Sequence, residues 1–193
     1  MESDKILLVI DANSLIHRSF HALPPLTNKK GQLTGAVYGF LLTLFKAIKD
    51  LKANYIVACF DTKKPTFRHE KFKNYKAHRP PTPEGIVSQF YLIKEVLESF
   101  NTPVFEKDGF EADDLVATIS QLAKKNSEVY ILSGDLDNLQ LIDNKIKLYT
   151  LGKGIKDSII YDKQKVIERF GVEPAQMNDF KALVGDVSDN IPG

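Results

Sequence analysis

Three short apolar runs each end on an aspartate, and this repeated pattern constrains the fold more than any other feature of the chain. Residues 5–11 (Lys5-Ile6-Leu7-Leu8-Val9-Ile10-Asp11), 55–61 and 128–135 are continuous rather than alternating in polarity. Such runs suit strands buried on both faces of a parallel sheet. In an open α/β sheet the loops leaving the carboxyl ends of parallel strands form the ligand crevice. Asp11, Asp61 and Asp135 are therefore expected at one edge of the sheet, whatever their separation in sequence.

The stretches between these runs read as the helices of such a fold. Residues 36–52 place Val37, Leu41, Leu44, Ile48 and Leu51 on one face, and residues 84–100 do the same with Ile86, Phe90, Ile93 and Leu97, with Pro83 near the start. A short helical segment is expected at 14–21, a short strand at 102–106, and a later strand at 146–151 followed by a polar excursion over 152–157. Short helices around 163–169 and 175–183 complete the pass. The whole of 1–193 reads as one domain, with no internal repeat, low-complexity segment or linker. The lone Cys59 sits within the second apolar run as a small buried residue and excludes both an internal disulfide and a multi-thiolate zinc site. No apolar run reaches the ~18 residues of a membrane span, so a cytoplasmic protein is expected.

Glu111, Asp113 and Asp114 crowd three carboxylates into four residues at the start of a run in which Leu115, Ile119 and Leu122 should face the sheet. Two readings are open. Acids favour the positive end of a helix macrodipole and often cap it. Crowded carboxylates also raise one another's pKa unless a cation lies between them. At about 100° per residue, Glu111 and Asp114 share a face while Asp113 points roughly 200° from Glu111. A ligand set must then sit at the first turn, or bridge two ions. Together with Asp11, Asp61, Asp135, Asp137, Asp186 and Asp189 they make nine carboxylates for one pocket. An all-oxygen set of this kind selects hard cations such as Mg²⁺ or Mn²⁺. Paired ions about 3.5–4 Å apart are the arrangement that supports phosphoryl displacement.

The net charge is only +1, from 26 basic and 25 acidic residues, so a nucleic-acid partner would need segregated charge. Residues 62–81 supply it: Lys63, Lys64, Arg68, Lys71, Lys73, Lys76 and Arg79 face one acid, Glu70, with Phe67, Phe72, Tyr75, His69 and His78 interleaved. A solvated face is one reading. A single-stranded nucleic-acid contact, with cations on phosphates and rings on bases, is the other.

Taken in order, the strand-end Asp11 and Asp61, Phe67-Arg68-His69-Glu70, Tyr75-Lys76-Ala77-His78-Arg79, Glu111-Ala112-Asp113-Asp114, Gly134-Asp135-Leu136-Asp137 and the closing Gly185-Asp186-Val187-Ser188-Asp189-Asn190-Ile191-Pro192-Gly193 resemble the N-terminal 5′→3′ exonuclease domain of bacterial DNA polymerase I, of the flap endonuclease group. The resemblance runs from Lys5 to the end of the chain. It implies a PIN-like α/β fold, a mostly parallel sheet flanked by helices, with a basic helical arch over 62–83. It implies two Mg²⁺ or Mn²⁺ ions, one on Asp11, Asp61, Glu111 and Asp113 with Asp114 in support, the other on Asp113, Asp135, Asp137 and Asp186 with Asp189 acting through water. Hydrolysis would leave a 5′-phosphate on flapped, nicked or 5′-ended DNA, as replication and repair require.

By the same resemblance Lys76 and Arg79 contact the reacting phosphate, Arg68 belongs to the basic segment on the nucleic acid, and Tyr75 is available to stack on a base. Arg18, Phe20 and His21 fall near the strand junction. Leu136 stands where many relatives carry a basic residue. Relatives continue beyond the position of Gly193 into a glycine-rich helical hairpin that grips duplex DNA, so most of that motif is expected to be missing here. The chain is expected to act as a monomer, alone or joined to a DNA polymerase.

Three rival readings differ in what they require. A PIN-type ribonuclease would share sheet and acids but typically lacks a basic segment like 62–81. A phosphatase with a strand-end nucleophile usually has another acid two residues on, where Asn13 stands. A catalytically silent nucleic-acid-binding module should have lost several acids, and all nine are present.

Overall fold

The computed structural model describes residues 5–152, 154 and 157–193. Its sheet has six strands: β1 (Ile6–Asp11), β2 (Tyr55–Phe60), β3 (Val104–Glu106), β4 (Glu128–Leu132), β5 (Ile146–Leu151) and β6 (Ser158–Tyr161). The spatial order is β3-β2-β1-β4-β5-β6. The first five strands run parallel and β6 alone is antiparallel, paired with β5. The chain winds outward from β1 to β2 and β3, then returns to add β4 on the other side of β1. The strand order therefore reverses between β1 and β4, where the crevice of such a sheet opens.

Helices cover both faces. On one side lie α1 (Ala12–Ala22), α2 (Gly35–Leu51) and, beyond the five-residue α3 (Phe67–Lys71), α4 (Glu84–Ser99); on the other lie α5 (Ala112–Ala123), α6 (Lys163–Phe170) and α7 (Met177–Val184). The continuous apolar run of β1 follows from this sandwich. Leu8 and Ile10 enter the first core, while Leu7 and Val9 enter the second. Cys59 is fully buried in the second core, where burial pushes its thiol up to about 12. Among the described residues, no helix is long and apolar enough to cross a membrane.

Several details depart from the periodicity. The most buried line of α2 is Ala36, Phe40, Leu44, Ala47 and Leu51, with Val37, Leu41 and Ile48 on its flank. The helix is turned because Gly39 lies against α1, where a Cβ would come within 2.8 Å of Ser19 Cβ. On α5, Ala112 and Val116 are buried, whereas Leu122, expected against the sheet, is 62% exposed, one residue off that line. Strand β6 was not expected; at four residues it is too short to show a period. It makes the polar excursion over 152–157 a hairpin connection, of which Lys153, Ile155 and Lys156 lie outside the described residues.

The N-terminus of α2 is capped from another helix. Thr34 makes no side-chain cap bond. Instead, the buried Oε1 of Gln89 on α4 accepts from Ala36 N at 2.7 Å and Val37 N at 3.3 Å, and its Nε2 donates to Gly85 O at 2.8 Å. Replacing Gln89 by Leu should lower the unfolding free energy by about 1–3 kcal/mol, because it strands buried N–H groups. Urea denaturation measures this, and an unchanged midpoint would show that the cap is dispensable.

Candidate metal centre

At the carboxyl edge of β1 and β4 the chain builds an acidic cavity of about 480 Å³. Eight of the nine sequence-picked acids line it: Asp11, Asp61, Glu111, Asp113, Asp135, Asp137, Asp186 and Asp189. Each arrives by a local device. Asp11 ends β1 and caps α1, its Oδ1 accepting from Ser14 N at 3.2 Å. Its Oδ2 accepts from the buried Ser133 Oγ at 2.6 Å, and that hydroxyl in turn accepts from Asp135 N at 2.9 Å, so one side chain fixes both strand-end acids. Asp61 follows β2. Its N–H donates to Asn13 Oδ1 at 3.1 Å and its Oδ1 accepts from Ala112 N at 2.6 Å, which ties it to the start of α5.

Both sequence readings of the acid triplet hold at once. Glu111 is the N-cap of α5, and Glu111 with Asp114 forms a capping box. The two acids share a face, as the helical angle requires, since Arg68 reaches both. Its guanidinium makes a bidentate pair with Asp114 at 2.8 Å on each arm and lies 3.9 Å from Glu111. Asp113 points the other way, into the cavity. Among the described residues, no hydrogen-bond donor or ion pair reaches its carboxylate.

The electrostatics separate the acids into two groups. Burial is the largest cause raising Asp113, and the neighbouring Asp11, Asp135 and Asp61 add to it, giving about 8. Burial likewise lifts Asp11 to about 6 against its hydrogen bonds from Ser133 and Ser14. Asp61 is raised by burial too. Elsewhere cations already pair with the acids, although burial, with Asp135 adding to it, still leaves Asp137 raised against its bond from Lys181. Lys76 Nζ lies 3.0 Å from Glu111, Arg79 pairs with Asp189, and Lys181 Nζ lies 2.7 Å from Asp137 and 2.8 Å from Asp186. Burial works to raise Asp186, but Lys181 and Ser188 hold it at about 2. Burial raises Asp114 as well, and the Arg68 bonds outweigh it, so its carboxyl stays below the usual range.

No three acids among the described residues close into a preformed ligand cage. Like charges without a cation between them stand apart. The donor chemistry nonetheless fits a hard divalent ion. Every donor is an oxygen, and the unpartnered Asp113 is the group such an ion would relieve.

The basic segment folds over this cavity. It comprises α3 and a run of turns, rather than a long helix, and is fastened by Arg68 to Asp114, by the Tyr75 hydroxyl donating to Glu111 Oε2 at 3.1 Å, and by Arg79 to Asp189 and Ser188 O. Lys76 and Arg79 line the cavity as expected. Lys76 is held at φ 54 by its N–H donating to Asp189 O at 3.1 Å, a left-handed conformation that non-glycine residues seldom adopt.

Some expected residues are placed differently. Tyr75 is buried, at 8% exposure, beneath Lys76 and against His69; it supports Glu111 and offers no free ring for a base. Arg18 borders the cavity but spends its guanidinium on the carbonyls of Leu151 and Gly152. Phe20 packs against the first core and His21 lies on the exposed side of α1; neither lines the cavity. Sequence reasoning overlooked Ser133, Asn13 and Lys181. Ser133 directly precedes Gly134-Asp135 and Asn13 follows two residues after Asp11, so both were within reach of a search around strand-end acids.

Residues 6–171 match the family described as 5′-3′ exonuclease, N-terminal resolvase-like domain. DNA polymerase I of Bacillus subtilis (strain 168) is 42% identical across 100% of the chain, which spans 22% of that relative. A 5′-3′ exonuclease of Aquifex aeolicus (strain VF5) is 40% identical over 98% of the chain and 64% of its own length. The chain thus spans about a fifth of the first and under two thirds of the second. Among solved structures, the T5 D15 protein co-crystallised with metal ions superposes with a TM-score of 0.76 at 25% identity, over 98% of this chain and 70% of that one.

The elevated Asp113 has a consequence for stability. A carboxyl whose folded pKa is raised binds more protons in the native state than in the unfolded one between about pH 4 and 8, so metal-free stability falls as pH rises through that window. Asp113→Asn should therefore raise the Tm of the chelator-treated chain, with a larger gain at pH 8 than at pH 5. Thermal denaturation at the two pH values checks this, and an equal or negative shift at pH 8 would contradict it.

Proposed function

Because the chain belongs to the family of the 5′-3′ exonuclease N-terminal, resolvase-like domain, we propose that it is a divalent-metal-dependent 5′ nuclease hydrolysing phosphodiester bonds in DNA. The observation that carries this reading is the unpartnered Asp113, set among Asp11, Asp61 and Asp135 under a lid that bears Lys76 and Arg79. In this reading Asp11, Asp61, Glu111 and Asp113 hold one Mg²⁺ or Mn²⁺. Asp113, Asp135, Asp137 and Asp186 hold a second, with Asp189 acting through water and Asp114 bracing Glu111. Ions bound there would supply Lewis acidity and neutralise the charge that builds on attacking and leaving oxygens.

The chain's own side chains do the rest. Lys76 and Arg79 draw the scissile phosphate down to the acids and orient it, with Arg suited to a two-point grip on phosphate oxygens. Ser133 and Asn13 hold Asp11, Asp135 and Asp61 in place. Residues 62–83 act as the lid, its base stapled by Arg68 to Asp114. The lid's basic surface and its half-exposed rings favour a single-stranded 5′ end over intact duplex. The T5 D15 protein carries metal ions on this fold, and the Bacillus subtilis relative joins the domain to a polymerase, which supports a role in DNA replication and repair in the cytoplasm.

Incubation of the chain with 5′-labelled flap and nicked DNA, in Mg²⁺ or Mn²⁺ and with or without chelator, tests the proposal. Cleavage should require the ion, and Asp113→Asn should lose at least about 100-fold in rate, the scale on which transition-state donors are worth. Lys76→Ala and Arg79→Ala should each lose about 100-fold while Tm moves by no more than about 4 °C. Undiminished cleavage by Asp113→Asn would refute the metal assignment. Cleavage of RNA but not DNA would make the chain a ribonuclease instead.

A further inference from the structure

The two halves of the acidic cavity are not equivalent before any ion arrives. Asp11, Asp61 and Asp113 line one half, and among the described residues no cationic side chain pairs with any of the three. The other half already holds a cation of the protein's own. Lys181 Nζ bridges Asp137 Oδ1 at 2.7 Å and Asp186 Oδ2 at 2.8 Å, two carboxylates from different elements.

Local structure builds this bridge deliberately. Asp137 sits in the first turn of the 3₁₀ helix Leu136–Leu141, which packs beneath α7, the helix that carries Lys181. After α7 the chain reverses at Gly185, where φ is +78 and a Cβ would fall 2.5 Å from Gly193 N, so only glycine fits. The reversal returns Asp186 to Lys181. The other oxygen of Asp186 is locked by Ser188 N at 2.9 Å and Ser188 Oγ at 2.6 Å, leaving Oδ2 aimed at the ammonium.

From this asymmetry we infer that Lys181 is a built-in occupant of the second ion's position, holding Asp137 and Asp186 in readiness, and that it must be displaced before the second ion binds. The inference rests on the two-ion reading above. It makes binding stepwise. The first ion enters the half where Lys76 pairs with Glu111 alone and leaves Asp11, Asp61 and Asp113 without a cationic partner, whereas the second competes with Lys181 for both Asp137 and Asp186. If the paired state is populated to about nine parts in ten, the competent fraction is about one tenth, and the apparent affinity of the second ion falls about tenfold. Full loading would then depend on a side chain that contributes no metal ligand.

Calorimetric titration of the chelator-stripped chain with Mn²⁺, with free ion counted by electron paramagnetic resonance, tests this without recourse to turnover. Wild type should show one tight and one weak step. Lys181→Met should tighten the weak step about tenfold while shifting the tight one less than about threefold; Lys181→Gln serves if the first variant fails to fold. Lys181→Arg, which keeps a cation on both acids, should retain the wild-type separation. Lys76→Met removes the same charge from the Glu111 side and should leave the weak step within about threefold. Unchanged or weakened second-step binding in Lys181→Met and Lys181→Gln overturns the inference alone. Equal tightening by Lys76→Met also overturns it, because the effect would then be one of net charge. Fewer than two bound ions in wild type overturns the two-ion reading, and the inference with it.

Discussion

Like-charge crowding at the carboxyl edge of the sheet is the constraint on which the rest of this molecule depends. Burying Asp113 against Asp11, Asp61 and Asp135 is unfavourable in itself, and the scaffold enforces it from three directions. Parallel pairing aligns β1 with β2 and β4, so their terminal acids cannot drift apart. The Ala112 N–H holds Asp61 against the first turn of α5, and the Ser133 hydroxyl joins Asp11 to the backbone of Asp135. The hydrogen bonds to Asp11 and Asp61 favour their ionised forms without outweighing burial and crowding, and each keeps the acids in place. A site that stores electrostatic strain in this way is poised for a cation.

The surrounding cations are arranged by the same logic. Arg68 is consumed by Asp114 and braces the cap of α5, so it belongs to the support of the site. Lys76, Arg79 and Lys181 pair with acids of the cavity, Arg79 donating to Ser188 O as well, and each could exchange a carboxylate for a phosphate or yield it to an ion. The lid over 62–83 is therefore joined to the cavity mainly by charge pairs. Bonds of that kind are sensitive to whatever charge enters beneath them.

Much of this was legible in the sequence because buried parallel strands announce themselves as continuous apolar runs. The three runs ending on Asp11, Asp61 and Asp135 gave the sheet and located its crevice. The angular argument separating Asp113 from Glu111 and Asp114 also carried through: one faces the cavity and the others face Arg68. What the sequence could not give was partner choice. Nothing in the residue pattern distinguishes a tyrosine free to stack from one like Tyr75, buried to hold a glutamate, or a free Arg18 from one spent on the carbonyls of Leu151 and Gly152. Those choices depend on contacts more than a hundred residues apart in the case of Arg18. The rotation of α2 and the outward turn of Leu122 were lost for a similar reason, since helix facing is settled by close approaches such as that at Gly39.

The central claim is that a partly protonated carboxylate cluster is held ready for a divalent ion, and proton release on metal binding tests it most directly. Calorimetric titration at pH 7 in buffers of differing ionisation enthalpy counts the protons exchanged. With Asp113 raised to about 8, binding of the first ion should release on the order of one proton at pH 7 and progressively fewer towards pH 9. Metal binding at pH 7 with no proton released would contradict the account, because the acids would then have been fully ionised, and their charge already balanced, before the ion arrived.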